Sequence, residues 1–313
     1  MSTVKIYLFG QLSVECNEKV WRGPEGYKAR ELFCYLLIHR NGPQSRERLA
    51  GLLWEESSTA QSKKYLRQAL WQLQSAYDGH LGKTDGRLLL VSPEWVQVNP
   101  EIELWVDVTA FNHAFSRLRA GRFDESSARV LDDAARLYKE DLLVGWYQDW
   151  LLYERERLQN MYLIMLDKLA EYCEAERDYA AGVDYGARIL HYDPAREHTH
   201  QQIMRMYYLA GDRTAALRQF DRCVESLKKE LDVGPAPGTL ALREQICAEP
   251  LTQPSAVSPL PTAESLALLP SILTNLKQLQ DKLVEMQRGL QRDIQTVEQI
   301  LPRLEGAAKK SRE

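Results

Sequence analysis

The stretch from Ser57 to Tyr77 holds three basic side chains and no acidic side chain, in a chain whose formal net charge is -4. The basic residues are Lys63, Lys64 and Arg67, and glutamines stand among them. Guanidinium and amide groups can form paired hydrogen bonds with the edges of DNA bases, and ammonium groups neutralise phosphates. Because no carboxylate repels a phosphate here, the chemistry of this stretch suits the major groove of a nucleic acid.

Apolar residues at helical spacing indicate which side of this stretch faces outward. Leu66, Leu70, Leu73 and Tyr77 follow one another at intervals of four, three and four residues, which predicts a helix with one apolar face. A helix turns by about 100° per residue, so the polar side chains lie on the opposite face and its flanks. We predict that five of these side chains read bases: Lys64, Arg67, Gln68, Trp71 and Gln72.

Further basic side chains stand where neighbouring elements are expected to begin. Ser45 is a suitable N-cap for the helix predicted over RERLAGLLWEE, and the positive end of a helix attracts anions. Each arginine taken singly fits an ordinary surface position equally well. We predict that one set contacts phosphates or the minor groove: Ser45, Arg46, Arg48, Lys63 and Arg87.

The elements around the acid-free stretch follow the order strands, three helices, hairpin. VKIYLFG and LSVEC alternate as strands, helical spacing runs from Tyr27 to His39 and again after Ser45, and SKKYLRQALWQLQSAY, from Ser62 to Tyr77, is the third helix. RLLLV and WVQVN alternate as the two strands of a hairpin. This order is that of an α+β winged helix-turn-helix of the OmpR type, which inserts its third helix into DNA. We assign it to residues 1–110.

Residues 111–249 are helical in pattern and repeat internally. Asp178-Tyr179 aligns with Asp212-Arg213 at an offset of 34 residues, which is the period of tetratricopeptide helix pairs. GRFDES, which begins at Gly121, is a candidate for an earlier repeat. Stacked helix pairs form concave surfaces. Such a surface suits a protein partner, a peptide or a small ligand, and the sequence does not choose between them.

The last part of the chain has a different pattern. Residues 250–262 contain four prolines and predict an extended linker. Residues 263–313 carry heptad-spaced apolar side chains, which favour a coiled-coil oligomerisation helix over an amphipathic helix folded back on the body. The predicted seam consists of Leu269, Ile272, Leu276, Leu279, Leu283, Met286, Leu290, Val297, Ile300 and Leu304.

Several classes of function have no support in the sequence. The first residues show no basic region followed by a long apolar run, and nowhere do eighteen apolar residues run unbroken, so we expect a cytoplasmic protein without membrane segments. The five cysteines are scattered and form no zinc pattern, so buried reduced thiols are expected. His198 and His200 point to different faces of a helix, and GKT at Gly82 lacks the preceding P-loop glycine. We therefore expect no metal, no cofactor and no catalytic site.

Two blocks of the sequence resemble a known family. RELFCYLLIHRNGPQSRERLAGLLWEE with KKYLRQALWQL resembles the OmpR-like DNA-binding domain of Streptomyces antibiotic regulatory proteins. EDLLVGWYQDWLLYERERL and the segment from YGARIL to LREQI are similar to their bacterial transcriptional activator domain. The resemblance spans residues 4–247 and implies a transcription factor, usually an activator, that binds direct repeats and recruits RNA polymerase.

The same resemblance implies roles for single residues and shows two departures. Ser45 and Arg46 fall on the family's phosphate-contacting helix start, and Arg67 falls on its recognition-helix arginine. Where the family often has a further arginine pair, this chain has Gln72 and Gln74. The coiled-coil tail is also not part of the shortest family members.

The sequence thus predicts a mostly helical regulator that acts on double-stranded DNA as a homo-oligomer. Subunits joined by the tail would place several weakly charged winged helices on repeated half-sites, where a tethered second domain acts at an effective concentration of about millimolar. The main alternative is a scaffold protein without DNA binding, whose repeats and tail hold a partner complex. In that case the tail could bind another protein instead of itself.

Overall fold

The computed structural model describes residues 4–16, 19–81, 87–118 and 123–248 of the chain. All of them lie within one compact unit, which extends over Met1–Glu249. The described part is mostly helical, as the periodicity predicts.

The first half of this unit combines two small sheets with three helices. The strands form a four-stranded sheet in the order β3-β2-β1-β7 and a three-stranded sheet in the order β4-β6-β5. Strands, three helices and a hairpin therefore follow one another in the predicted order. The elements are β1 (Val4–Tyr7), β2 (Ser13–Cys16), β3 (Lys19–Trp21), α1 (Tyr27–Ile38), β4 (Gln44–Ser45), α2 (Arg46–Leu53), α3 (Thr59–Leu81), β5 (Leu89–Val91), β6 (Trp95–Val98) and β7 (Leu104–Val106).

Three short strands, β3, β4 and β7, were not predicted from the sequence. Strand β7 pairs in parallel with β1, in a register that sets Val4 opposite Leu104, and β4 pairs with β6 through Gln44 and Val96. Strands of two or three residues contain too few alternations for a period of two to be recognised. Their pairing is set by tertiary contacts instead.

Helix α3 packs its apolar face inward as predicted. Leu66, Leu70, Leu73 and Tyr77 are all buried, and α3 contacts both α1 and α2. The hydroxyl of Ser45 accepts a hydrogen bond from the Arg48 N–H at 3.4 Å and caps the start of α2. The burial of the leucines fixes the rotation of α3, and with it the identity of the side chains that face solvent.

The second half of the unit consists of helices. Aspartates cap three of them by accepting a hydrogen bond from the N–H three residues later: Asp124 caps α5, Asp178 caps α7 and Asp212 caps α9. Asp193 and Pro194 lie in the turn between α7 and α8. No described helix is long and apolar enough to cross a lipid bilayer. The helices are α4 (Asp107–Arg117), α5 (Glu125–Ala135), α6 (Asp149–Ala175), α7 (Tyr179–Tyr192), α8 (Glu197–Leu209), α9 (Arg213–Leu231) and α10 (Pro237–Ala248).

The spacing of the caps agrees with the repeat seen in the sequence. The carboxylates of Asp178 and Asp212, 34 residues apart, make the same contact at the starts of α7 and α9. Helix α8 packs extensively against both α7 and α9. The classification of these helix pairs as tetratricopeptide-like stays a prediction.

The two halves share a core. An isolated β-bridge joins Phe9 to Leu142, and the Leu143 N–H donates to the carbonyl of Leu8 at 2.9 Å. A continuous cluster of buried apolar side chains extends from Val4 to Ile189. The predicted boundary between residues 110 and 111 lies inside α4, so the chain passes from one half to the other without a linker at that point.

Several predictions concern residues outside the described ranges. They are the linker at 250–262, the coiled coil at 263–313 with its seam, the GKT segment at 82–84 and the first part of GRFDES. These remain predictions.

The expectation that all five cysteines are buried is wrong for one of them. Cys16, Cys34, Cys173 and Cys223 are buried as predicted, whereas Cys247 is exposed. It lies near the end of α10, where no further described helix covers it.

Candidate nucleic-acid interface

The face of α3 opposite the leucines is open. Lys64, Arg67, Gln68 and Trp71 are exposed, and the Trp71 side chain is 67% exposed. Within the described ranges, no hydrogen bond, ion pair or ring contact engages any of these four side chains. Their donors and the indole ring are therefore available to a molecule outside this part of the chain.

Gln72 differs from the other four predicted base readers. It is half-buried, and its side-chain amide lies beside Gly26 at the start of α1, so that a Cβ atom on residue 26 would stand 3.1 Å from Gln72 Oε1. Gln72 thus fills the junction between α1 and α3 and is the least accessible of the five.

Gln74 holds the hairpin against α3. Its Nε2 donates to Asp78 Oδ1 at 2.7 Å, and its Oε1 accepts from the Leu89 N–H at 3.3 Å. In the sequence, Gln74 stands out only as a departure from the family pattern. Nothing in its local sequence indicates a contact with a strand fifteen residues away, since that contact depends on the tertiary fold.

Arg46 holds the turn of the same hairpin. Its backbone N–H donates to the Glu94 carbonyl at 2.9 Å, and its Nη1 donates to the Ser92 carbonyl at 2.8 Å. A guanidinium group carries five N–H donors, so most of the donors of Arg46 remain available for a phosphate. Arg46 therefore positions the β5–β6 turn beside the start of α2 and can still bind an anion.

A groove joins α2, α3 and the β5–β6 turn. Its volume is about 870 Å³, and it brings together four predicted residues, Ser45, Arg46, Lys63 and Arg67. Two acidic residues that were not predicted to belong to the site, Glu47 and Glu94, line the same groove. Acidic side chains at its edge reduce the positive potential, which agrees with the modest affinity expected of one such domain.

Lys63 is partly engaged. Its Nζ lies 3.2 Å from Glu47 Oε1, and both side chains are mostly exposed, so solvent screens the pair. A phosphate can replace Glu47 as the partner of Lys63 at small cost.

Two further predicted residues, Arg48 and Arg87, are exposed but do not line the groove. The carbonyl of Arg87 accepts a hydrogen bond from Asn99 Nδ2 at 3.1 Å, which closes the base of the hairpin.

The histidines of α8 do not form a metal pair. His198 is exposed, whereas His200 is buried and both of its ring nitrogens have partners, the Pro194 carbonyl at 2.9 Å and Gln219 Nε2 at 2.8 Å. Burial lowers the pKa of His200, so the ring is neutral at pH 7. The described ranges contain no group of three or more His, Cys, Asp or Glu side chains that could hold a metal ion.

A second groove lies among α7, α8 and α9. Its volume is about 410 Å³, and the side chains of Val183, Leu190, Ile203, Tyr207 and Arg222 contribute to its lining. That this groove is the predicted concave surface, for which the sequence left a protein, a peptide or a small ligand open as partner, stays a prediction.

The second half of the unit matches a known domain family. Residues 106–247 match the bacterial transcriptional activator domain. The match begins at the last residue of β7 and extends into α10, so it covers the helical half. The predicted resemblance to this domain is confirmed.

Similar proteins match a larger share of the chain than this domain does. The chain is 27% identical over 226 residues to transcriptional regulatory protein MoaR1 of Mycobacterium tuberculosis, an alignment that covers 70% of this chain and 71% of the relative. MoaR1 of Mycobacterium bovis gives the same values. Among solved structures, Mycobacterium tuberculosis EmbR in complex with a low affinity phosphopeptide is similar with a TM-score of 0.63 and 23% identity. That alignment covers 79% of this chain and 65% of the EmbR chain, and it shows a shared fold.

Proposed function

From a chain that contains a bacterial transcriptional activator domain and is consistent with a regulator of the Streptomyces antibiotic regulatory protein type, we infer a sequence-specific DNA-binding transcriptional activator. The observation that carries this proposal is the exposed face of α3, where Lys64, Arg67, Gln68 and Trp71 have no partner in the described part of the chain. The proposal includes no enzymatic activity and places the protein in the cytoplasm.

In the proposed complex, α3 lies in the major groove of double-stranded DNA. Arg67 and Gln68 form hydrogen bonds with base edges, since guanidinium groups pair with guanine and amides with adenine. Arg46, Lys63 and the N-terminus of α2 bind the phosphates beside the groove. The β5–β6 hairpin, fixed by Gln74 and Arg46, carries Arg87 toward the minor groove as the wing of an OmpR-type domain.

Oligomerisation strengthens the binding in this proposal. Each domain offers few positive charges, so one copy binds weakly, and two copies joined through residues 263–313 bind adjacent half-sites with higher avidity. The helical half then presents its grooves to RNA polymerase or to another protein near the promoter.

Replacement of Lys64 and Arg67 by alanine tests the exposed face of α3 formed by Lys64, Arg67, Gln68 and Trp71, which we call the reading face. We expect Lys64→Ala/Arg67→Ala to weaken DNA binding about tenfold or more, because a good side-chain contact to a base contributes about 1–3 kcal/mol. The slope of log K against log salt concentration should also become less steep by about one to two, since fewer counterions are released. Fluorescence anisotropy with labelled duplex at several salt concentrations measures both quantities.

The matched control is Lys139→Ala/Arg218→Ala, which removes the same charges from exposed positions of the helical half. It should leave affinity and slope nearly unchanged. If both double variants retain full affinity, α3 does not read DNA. If wild-type protein shows no salt-dependent DNA binding at all, the scaffold alternative takes its place.

Removal of residues 263–313 tests the proposed oligomer. We expect a folded protein of smaller assembly mass, because the compact unit ends at Glu249. Binding to duplexes with two half-sites should weaken about 100-fold, whereas binding to a single half-site should not change. Light scattering after size exclusion gives the mass. Full-length Leu283→Asp serves as a second variant, and an unchanged mass in both would contradict the oligomer.

A further inference from the structure

Trp71 is the large apolar side chain on the reading face. Its indole is 67% exposed, and in the described part of the chain no ring stacks on it and no acceptor takes its N–H. Tyr65, on the same helix, is held by the ring of Trp54 at a centroid distance of 6.2 Å. An uncovered indole gains free energy when apolar surface from another molecule covers it.

The neighbours of Trp71 indicate what covers it. Arg67 and Gln68 lie one turn earlier on the same face, and Lys64 lies one turn before them. An apolar protein partner favours apolar neighbours, whereas these side chains carry positive charge and amide groups. Charge complementarity therefore favours duplex DNA as the occupant.

In the major groove, the apolar group on a base edge is the C5-methyl group of thymine. We propose that the indole of Trp71 covers a thymine methyl group and makes the protein selective for thymine at one position of each half-site. This inference rests on the proposed function and adds the identity of a base.

The spacing on α3 gives the position of that thymine. Arg67 and Trp71 are four residues apart, which is about 6 Å along a helix axis. Stacked bases repeat about every 3.4 Å. When α3 follows the groove, the thymine lies about two base pairs from the base bound by Arg67, for which guanine is the preferred partner.

Replacement of single thymines by deoxyuridine tests the inference, because deoxyuridine lacks only the methyl group. Full-length protein first selects duplexes from a random-sequence library. Each thymine of a selected duplex is then exchanged in turn, and affinity is measured by anisotropy. At one position we expect wild-type binding to weaken about threefold to fivefold. Trp71→Ala should bind the thymine duplex and the deoxyuridine duplex with equal affinity. Trp71→Phe should keep part of the wild-type preference for the thymine duplex.

The control variant is Tyr153→Ala, which removes an aromatic ring that is 75% exposed on α6. It should retain the full sensitivity to deoxyuridine. The inference is overturned if wild-type protein binds selected duplexes but no exchange weakens binding, or if Trp71→Ala keeps the wild-type sensitivity. Both results leave DNA binding intact. A protein that selects no duplex from the library instead overturns the proposed function, and the inference with it.

Discussion

Asp107→Ala is expected to lower the free energy of unfolding by about 3 kcal/mol at pH 5. The Asp107 carboxyl group is buried at the start of α4, and its Oδ2 accepts hydrogen bonds from the N–H groups of Leu8 at 2.7 Å and Phe9 at 2.9 Å. Alanine leaves both donors buried without an acceptor, and each such donor costs about 1–3 kcal/mol. Urea titration followed by circular dichroism gives the change.

Asp124→Ala is the matched control for this substitution. Asp124 also begins a helix and also accepts from a backbone N–H, that of Ser127 at 2.8 Å, but it is exposed. Loss of this exposed cap should cost less than loss of the buried carboxyl group, because water can take the place of the Asp124 carboxylate. Equal losses in the two variants would show that the contact of Asp107 with the first strand contributes nothing beyond a helix cap.

The ionisation of Asp107 also predicts how stability varies with pH. Burial raises the pKa of Asp107 from 3.8 to about 6, while the hydrogen bonds that it accepts from the N–H groups of Phe9, Leu8 and Val108 oppose this shift. The folded protein then binds more protons than the unfolded chain between about pH 4 and pH 6. The stabilising contribution of the protonated group is complete below pH 4 and is lost as the pH rises through 6.

Asp107→Asn isolates this contribution, because asparagine cannot ionise. Relative to Asp107→Asn, the wild-type free energy of unfolding should fall by up to about 3 kcal/mol between pH 4 and pH 7. Parallel urea titrations across this range measure the difference, and a constant difference would contradict the raised pKa.

Asp107 connects the two halves of the unit. Its side chain holds the end of β1, while its backbone begins the first helix of the matched domain family. Arg155 of α6 donates to the carbonyl of Leu142 at 2.7 Å, next to the bridge with Phe9. A partner bound to the helical half would therefore have a fixed orientation relative to α3.

A further contact reaches from α6 to the helices of the first half. The Trp150 Nε1 donates to Glu31 Oε1 at 3.1 Å, and Lys28 pairs with the same carboxylate at 2.8 Å. Because Glu31 is buried, its side chain has lost its contacts with water, and the bonds with Trp150 and Lys28 replace them. These bonds link α1, which packs against α3, to the matched domain.

Local sequence patterns predicted the elements that have strong periodicity. The leucine spacing of α3, the Ser45 cap of α2 and the aspartates 34 residues apart depend on neighbours in the sequence, so a single chain reveals them. The predicted helix, from Ser62 to Tyr77, is shorter than α3, which extends from Thr59 to Leu81.

Contacts between distant residues were not predictable in the same way. The parallel pairing of β1 with β7 and the bond from Gln74 to β5 join residues far apart in sequence. In the candidate site, the residue types were recognisable from the sequence. The engagement of Arg46 with the Ser92 carbonyl and the half-burial of Gln72 depend on the assembled hairpin and helices.

The close approach of α7 and α8 leads to a prediction in which the same substitution has opposite effects at two glycines. A Cβ atom on Gly186 would lie 2.7 Å from Ile203 Cγ1 and 2.8 Å from Cδ1, and Ile203 is buried and β-branched. Such a side chain has little freedom to move away, and overpacking costs about 1–3 kcal/mol. Gly51, in α2, has no atom within 4 Å of the same point.

We therefore expect Gly186→Ala to lower the free energy of unfolding by about 2 kcal/mol even though alanine favours helices. Gly51→Ala should raise it by up to about 1 kcal/mol, because the gain in helix propensity meets no steric opposition. Urea titration of both variants measures the pair. Since the helix propensity term is common to both, the difference between them reports the packing of α7 on α8, and two equal gains would show that the helices do not approach this closely in solution.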